Sequence, residues 1–209
     1  EEYDVEKPVH EVHISEFYLG RYPVTNEEYE RYMAADPGVP EPEYWGERQF
    51  NRPKQPVVGV SWDDAVKYAR WAGLQLPTEA QWEYACRAGT TTRFYTGDTE
   101  EDLGRAGWYG DNSDDKLHPV GEKEPNPWGV YDMHGNVWEW CHDWFDRNYY
   151  ADSPSIDPTG PDTGASRVFR GGSFLFIAAY CRSASRYRDR PDLRNNALGF
   201  RLASLPGQS

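Results

Sequence analysis

Three segments in the first ninety residues carry apolar side chains at helical spacing. They are VTNEEYERYMAAD, SWDDAVKYARWAG and LPTEAQWEYACRAG, and each opens with residues that cap helix N-termini. The capping residues are Thr25 or Asn26, Ser61 with Asp64, and Thr78 with Gln81. The pattern therefore predicts three helices, with Gly89 in the left-handed position that ends the third.

The pattern changes after residue 90, where helical periodicity stops and a long tract of Gly, Asp, Asn, Pro and aromatic residues begins. Shorter runs outside this tract are typical of strands, namely EVHISEFYLGRYPVT near the start and RVFRGGS and LGFRLA near the end. Helices followed by irregular chain and short strands predict an α+β fold. Nothing resembles a linker, so we expect residues 1–209 to form a single domain.

Composition changes this picture in two ways. Aromatic residues make up 15% of the chain, including nine Trp, and they anchor irregular loops because they combine a large apolar area with a polar group. The formal net charge is −13, which argues against nucleic acid or an anionic membrane as a partner. No apolar run reaches the roughly 20 residues that span a bilayer, so membrane insertion is not expected.

The residues alone do not predict an enzyme. The chain has no CxxC, HExxH, GxSxG, GxxxxGKS/T or GxGxxG motif. Its three cysteines are Cys86, Cys141 and Cys181. They are too few for a disulfide scaffold, so we expect them to be buried, reduced thiols.

One loop carries the residue types of a calcium site. In YDMHGNVWEW, Asp132 and Glu139 supply hard oxygen donors, and Gly135 permits a sharp turn that aims backbone carbonyls at the same point. The same residues also fit a tight turn in which Asp132 caps the backbone and Glu139 is solvated. Both interpretations stay open at this point.

The C-terminal segment, residues 167–203, mixes two patterns. It contains the apolar run FLFI, which is typical of a strand buried on both faces. The following RYRDRPDLRNN contains Pro191 and two turn-prone asparagines, so the chain must loop there. Its Tyr, Arg, Asp and Asn residues are also common in binding surfaces. A buried strand and a binding surface are equally compatible with these residues.

Several phrases together resemble the sulfatase-modifying, formylglycine-generating enzyme family. They are PVTNEEYERY, LQLPTEAQWEYACRAG, NPWGVYDMHGNVWEWCHDW, RVFRGGSF and CRSASRYRDRPDLRNNALGFRLA, spread over about residues 8 to 203. The resemblance implies a C-type-lectin-like α+β fold with two main helices, twisted antiparallel sheets and much irregular loop. It also implies a calcium site formed by the side chains of Asp132 and Glu139 and the carbonyls of Gly135 and Val137.

The resemblance also bears on catalysis. Formylglycine-generating enzymes use two cysteines five residues apart, after GGS, to bind copper(I) and activate oxygen. Here the second matches Cys181, but Phe176 occupies the first position. One thiolate cannot supply the two-sulfur site that copper(I) favours, so we expect neither copper nor catalysis. The alternatives are an active oxidoreductase of that type and a pseudoenzyme that pairs with a catalytic relative.

Within this family, the segment is most similar to the variable proteins of diversity-generating retroelements. Their C-terminal cassette has the layout RVxRGGSFxxxAxxCRSAxRxxxxPDxRxxxLGFRL, and mutated adenines in Asn codons diversify it. Such codons cannot encode Lys, Glu, Gln, Met or Trp, and none of these occupies the matching positions here. The implied ligand-binding residues are Leu175, Phe176, Ile177, Tyr180, Ser185, Tyr187, Arg188, Asp189, Arg190, Leu193, Asn195, Asn196 and Ala197.

The resemblance thus implies a non-catalytic protein that binds a protein or other macromolecule. A randomised site carries no inherited specificity, so the sequence does not name this ligand. A site that accepts many side chains cannot bury them, because changing a packed side chain typically costs about 2–5 kcal/mol. We therefore expect most of these residues to be exposed together on one face.

Overall fold

The computed structural model describes residues 4–207. Its three longest helices lie where the sequence predicts them: α1 at Asn26–Ala35, α2 at Trp62–Trp71 and α3 at Glu79–Arg87. Each begins at a capping box, and the N-caps are Thr25, Ser61 and Thr78. After α3 both Ala88 and Gly89 adopt positive φ, so the left-handed turn starts one residue before the predicted position.

Two short helices lie in the tract where the sequence shows no periodicity. They are α4 at Glu100–Ala106 and α5 at Tyr149–Asp152. The sequence pattern, which loses its helical periodicity after residue 90, does not predict these two helices. The reason is that α4 buries only Leu103 and Ala106, which leaves no repeating apolar face to detect. None of the helices in residues 4–207 combines the length and hydrophobicity needed to cross a membrane.

The strands form two small sheets. The strands are β1 Tyr18–Leu19, β2 Trp138–Trp144, β3 Arg167–Arg170, β4 Arg186–Asp189, β5 Leu198–Phe200 and β6 Ala203–Ser204. One sheet has the order β4-β3-β2-β5, and the other pairs β1 with β6. β2, β3 and β4 are antiparallel neighbours, but β5 pairs with β2 in parallel because the chain crosses back over the sheet after β4. The predicted N-terminal strand or hairpin is reduced to β1 and isolated bridges at His13 and Thr25.

Aromatic rings join the larger sheet to α1 and α2. Trp140 of β2 and Phe200 of β5 are fully buried, and Tyr29 of α1 and Tyr68 of α2 belong to the same core cluster. The rings of Tyr29 and Tyr68 stack with centroids 5.4 Å apart, and Tyr68 meets Phe200 edge-on at 5.3 Å. The mixed helix-and-sheet architecture confirms the α+β prediction, and this core supports the outer loops.

The apolar run at residues 174–177 is not a strand. Phe174 is buried, whereas Leu175 and Ile177 are exposed, and a 3-10 helical turn follows at Ala178–Cys181. Because the run turns at the surface, its side chains do not alternate between two buried faces. Of the two interpretations that the sequence left open, the buried strand is wrong.

Candidate functional site

Buried arginines hold the C-terminal segment from its inner side. Arg170, at the end of β3, and Arg186, at the start of β4, both bind the carboxylate of Glu79 in α3. Arg186 makes two bonds to it, of 2.6 and 2.7 Å, in bidentate geometry. Arg170 also donates to the Ser183 carbonyl at 2.7 Å. These contacts attach both ends of the loop between β3 and β4 to the same helix.

A third arginine attaches this loop to the N-terminal segment. Arg182 binds Glu6 through two bonds of 2.7 and 2.9 Å, and both side chains are buried. On the same turn, a Cβ atom at Gly172 would lie 2.4 Å from the sulfur of Cys181, and φ there is +75°. Only glycine fits such a position. The loop backbone is thus fixed by groups that face the interior.

An aromatic cluster forms the centre of the outer side of this loop. Its base is Trp138 of β2 and Phe169 of β3, with ring centroids 5.2 Å apart. Phe176 and Tyr187 lie on this base, 5.5 and 5.4 Å from the Trp138 ring. Tyr180 lies between them and meets each edge-on, at 5.5 and 5.9 Å. The structure therefore brings three of the predicted ligand-binding residues together on a rigid base.

The edge of this cluster is open to solvent. Leu175 is 44% exposed, Ile177 59% and Tyr187 41%. Phe176 and Tyr180 are only half-buried, which corrects the expectation that they are as exposed as their neighbours, because both pack on the main core. We refer to these five residues as the apolar patch. Contiguous exposed apolar side chains of this kind mark contact sites.

The polar candidates follow in the chain between β4 and β5. Arg190 and Asn195 are exposed, and Asp189, Leu193 and Asn196 are half-buried. Leu193 packs on the same core cluster as Phe176 and Tyr180. The backbone here is held to the start of α2 and the residues just before it, since Trp62 N donates to Pro191 O and Gly59 N to Asn195 O, each at 3.0 Å.

Three candidates do not face this surface. Ser185 and Ala197 are 2% and 1% exposed, so the structure corrects them from ligand contacts to interior positions. Ala197 is buried because its carbonyl accepts a bond of 2.8 Å from the backbone of Trp138, which draws it against β2. Arg188 is exposed on the opposite face of β4, with its guanidinium carbon 4.2 Å from the centre of the Phe145 ring. Successive side chains of a strand point to opposite faces, so Arg188 and Tyr187 cannot share one.

The predicted calcium ligands do not fit a calcium ion in this arrangement. Glu139 is fully buried, and its oxygens accept bonds of 2.6 and 2.7 Å from Arg201 and of 2.6 Å from Trp82. Arg201 also donates to the Tyr131 carbonyl at 2.9 Å, so the acceptors of this loop surround a guanidinium. Within residues 4–207, no three His, Cys, Asp or Glu side chains are grouped to hold a metal ion.

Asp132 instead acts as a backbone acceptor in a tight turn, with φ of 56°. Its Oδ2 accepts a bond of 2.8 Å from the Gly121 amide, and Oδ1 has no partner among the described residues. Burial raises the pKa of this carboxyl to about 6. Gly135 donates its amide to Gly171 O at 2.7 Å, and Val137 is buried beside it. One free carboxyl oxygen falls short of the six to eight ligands that calcium takes.

Of the two positions at which the family resemblance implies cysteines, one holds a buried thiol and the other holds a phenylalanine ring. Cys181 is fully buried, and burial raises the pKa of its thiol to about 12. Phe176 lies on the outer side of the loop against Trp138. Cys86 and Cys141 are also free and buried, as the sequence predicts. A thiol with so high a pKa carries almost no thiolate at neutral pH, and the thiolate is the reactive form.

Comparison with known proteins identifies the family. A family model described as the sulfatase-modifying factor enzyme 1-like domain matches residues 1–205. The chain belongs to this family. The resemblance found in the sequence is therefore confirmed, and the family match extends over nearly the whole chain.

Two family members are formylglycine-generating enzymes. The enzyme from Streptomyces coelicolor is 49% identical over 168 residues, which is 73% of this chain and 54% of that protein. The enzyme from Thermomonospora curvata is 37% identical over 262 residues, covering 97% of this chain and 86% of that one. The chain thus spans about half the length of the Streptomyces relative and most of the Thermomonospora relative.

A solved structure in the same fold is Treponema denticola variable protein 1. It is 32% identical, with a TM-score of 0.81, and the match covers 93% of this chain and 86% of that chain. Because the match covers most of both chains, it confirms the predicted fold class. The relatives of this chain therefore include both enzymes and a protein named as variable.

Sequence reasoning missed two kinds of site residue. Trp138 and Phe169 were not predicted to form the base of the apolar patch, although the spacing of Trp138 and Trp140 in a strand places both tryptophans on one face. Glu6 was also missed. Its partner Arg182 is 176 residues away, and such a distant ion pair leaves no local signal.

Proposed function

We propose that this chain is a non-catalytic binding protein that contacts a protein or other macromolecular ligand through the apolar patch. The observation that carries the proposal is that the loop between β3 and β4 combines a fixed backbone with exposed apolar side chains. Buried ion pairs fix its backbone, while Leu175, Ile177 and Tyr187 are exposed on its outer side. Aromatic and aliphatic anchors with a polar rim are the usual composition of an interface centre, and here Arg190 and Asn195 supply the rim.

The relatives support two functions for such a surface. The Treponema relative is named a variable protein, which favours binding. The 49% identity to the Streptomyces enzyme favours the competing function, an oxidoreductase of the formylglycine-generating type. A pseudoenzyme would also lack turnover, but it would require a catalytic relative as its partner.

Phe176 favours binding over catalysis. An aromatic ring supplies no ligand for copper(I), which prefers two soft sulfur donors. The remaining thiol of Cys181 is buried, and its pKa is raised to about 12. Neither position offers the thiolate that the oxidation chemistry of the enzymes would use.

The activity test combines the protein with copper(I), oxygen and a cysteine-containing sulfatase peptide. We expect mass spectrometry to detect no formylglycine, and the Streptomyces coelicolor enzyme serves as the positive control. Turnover that disappears in Cys181→Ala would overturn the proposal and establish the oxidoreductase. Turnover by a catalytic relative that rises when this chain is added would establish the pseudoenzyme.

The binding test pans a peptide display library, with linear and disulfide-closed members, on the immobilised protein. We expect enriched peptides to lose at least tenfold in affinity for the triple variant Leu175→Ser/Ile177→Ser/Tyr187→Ser. The matched control is Val9→Ser/Tyr84→Ser/Ile156→Ser, which removes side chains that are 84%, 46% and 63% exposed elsewhere. Peptides weakened equally by both variants, or by neither, would show that the apolar patch is not the binding site.

A second test reads the gene neighbourhood. If the loop is diversified by a retroelement, a reverse transcriptase gene should lie nearby. A near-copy of the codons for residues 167–203 should accompany it and differ from them at adenines. Differences scattered over all four bases, or codons for buried residues such as Phe174 and Arg186 among the varied ones, would contradict the proposal.

A further inference from the structure

The larger sheet has one open edge, and it lies at the candidate site. β4 is the terminal strand in the order β4-β3-β2-β5, and within residues 4–207 it pairs only with β3. Among residues 4–207, no residue outside β3 makes a main-chain hydrogen bond with Tyr187, Arg188 or Asp189. Half of the backbone groups of an antiparallel edge strand point away from its neighbour, so β4 presents unpaired donors and acceptors on its outer side.

The opposite edge of the sheet is treated differently. There the Val24 amide donates to the carbonyl of Phe200 in β5 at 2.9 Å, and Val57 N in turn donates to Val24 O at 2.9 Å. Beside β4 the chain instead leaves a groove of about 560 Å³, lined by all four β4 residues. Asp4 and Val5 line the groove, and Val5 O accepts a bond of 2.7 Å from the side chain of Arg186 rather than from the backbone of the strand.

The two faces of β4 offer different chemistry. On one face Tyr187 joins the apolar patch. On the other, the guanidinium of Arg188 lies over the Phe145 ring, and no described acidic side chain pairs with it. The other charged groups that line the groove have partners. Arg147 and Asp4 approach to 3.4 Å, Arg186 binds Glu79, and Asp189 accepts a bond of 2.7 Å from the Arg190 amide. Within residues 4–207, Arg188 is thus a cation without an acidic partner, and it lies on the outer strand of the sheet.

We propose that the open edge of β4 takes an extended segment of the partner protein as an additional strand, in which acidic and apolar residues alternate. This inference rests on the proposed binding function and specifies its partner as a peptide in extended conformation. Strand addition supplies main-chain hydrogen bonds, and side chains on alternate positions supply specificity. An acidic residue would lie beside Arg188, and the apolar residues on either side of it would lie on the face of Tyr187 and Tyr180.

The test uses the enriched linear peptides and a scan in which each amide is N-methylated in turn. We expect methylation at every second residue to weaken binding at least tenfold, because those amides face β4, and methylation at the residues between them to have little effect. Arg188→Glu should weaken binding by a similar factor, and a peptide with Lys in place of its acidic residue should restore it. The control is Arg48→Glu, which reverses the charge of an exposed arginine that does not line the groove.

The outcomes separate this inference from the proposed function. Peptides that depend on the apolar patch but tolerate N-methylation at every position would overturn strand addition and leave the binding function intact. Enrichment of disulfide-closed peptides alone would do the same. Peptides that do not depend on the apolar patch would overturn the proposed function itself. A failure of the Lys peptide to bind Arg188→Glu would remove Arg188 from the site.

Discussion

Six of the eight arginines in the C-terminal segment, residues 167–203, fall into two groups, one buried and one exposed. The buried ones are Arg170, Arg182, Arg186 and Arg201, and each binds a glutamate side chain. The exposed ones are Arg188 and Arg190, and within the described part of the chain only Arg190 of these two pairs with an acid, the exposed Asp192 at 3.4 Å. A buried charge depends on its partner, because losing that partner leaves an uncompensated charge in the interior. An exposed pair contributes little. The same residue type therefore builds the scaffold on one side and is free for a partner on the other.

This difference explains how a loop can be rigid and still present an apolar outer side. A loop that is held by its own apolar side chains packed against the core can accept few substitutions at those positions. Here Arg182 and Glu6 fix the middle of the loop, and Arg170 and Arg186 fix its ends. The outer side chains are then not required for folding. This arrangement is the physical basis for separating stability from binding.

Replacing each arginine of β4 in turn tests the difference between buried and exposed arginines most directly. Arg186 and Arg188 lie two residues apart on the same strand face, one buried and one exposed. We expect Arg186→Met to lower the free energy of unfolding by about 3–5 kcal/mol, because Glu79 loses its bidentate partner in the interior. Arg188→Met, the matched control, should leave it nearly unchanged. Urea denaturation measures both, and equal losses would refute the distinction.

The buried network also predicts a pH dependence. Burial and the nearby Glu79 carboxylate raise the pKa of Asp143 to about 8, although Arg186 opposes the shift. The unfolded chain ionises this carboxyl near pH 4. Between these values the folded state holds the extra proton, so stability falls as pH rises. Relative to Asp143→Asn, the unfolding free energy of the wild type should fall by up to about 1.4 kcal/mol per pH unit, or about 2 kcal/mol from pH 6 to 7.5.

Denaturation at several pH values checks this prediction. A difference between wild type and Asp143→Asn that stays constant across that range would show that Asp143 is already ionised in the fold. In that case Arg186 and the Glu79 amide, 2.7 Å from Asp143 Oδ2, stabilise the carboxylate more than burial destabilises it.

Phe176 lies between the buried inner side of the loop and its exposed outer side. It is half-buried, with its ring 5.5 Å from that of Trp138, whereas its neighbour Ile177 is 59% exposed. We expect Phe176→Ala to cost about 1–2 kcal/mol, less than the 3–5 kcal/mol of a fully buried phenylalanine. Ile177→Ala should cost much less, because it removes few packing contacts. Thermal unfolding compares the two, and a larger loss for Ile177→Ala would place the boundary elsewhere.

The sequence predicts the parts of this molecule that depend on neighbours along the chain. The capping boxes at Ser61 and Thr78 join residues three positions apart, so their helices are visible. The box that starts α4 has the same spacing, with Asp102 N donating to Thr99 Oγ1 at 3.1 Å. It was missed because so short a helix has no repeating apolar face. The cap alone was the available signal.

Long-range pairs lie beyond such reasoning. Glu139 looks like a metal ligand in its loop, but Arg201, 62 residues later, takes its carboxylate. The exposure of Ile177 and the burial of Ala197 likewise depend on how distant strands approach the loop. The family resemblance supplies the fold but not these details, because they depend on pairs of residues far apart in the chain.

The smallest effect on stability is expected for the exposed residues of the apolar patch. We expect the triple variant Leu175→Ser/Ile177→Ser/Tyr187→Ser to change the unfolding free energy by less than about 1 kcal/mol, since exposed substitutions are usually close to neutral. Trp138→Ala, which removes the base beneath them, should cost about 3–5 kcal/mol. Both variants alter the same surface, so equal loss of binding with unequal loss of stability would show that the apolar patch serves binding alone. If the triple variant unfolds as readily as Trp138→Ala, the outer side chains belong to the core, and a surface able to change its sequence freely cannot be built from them.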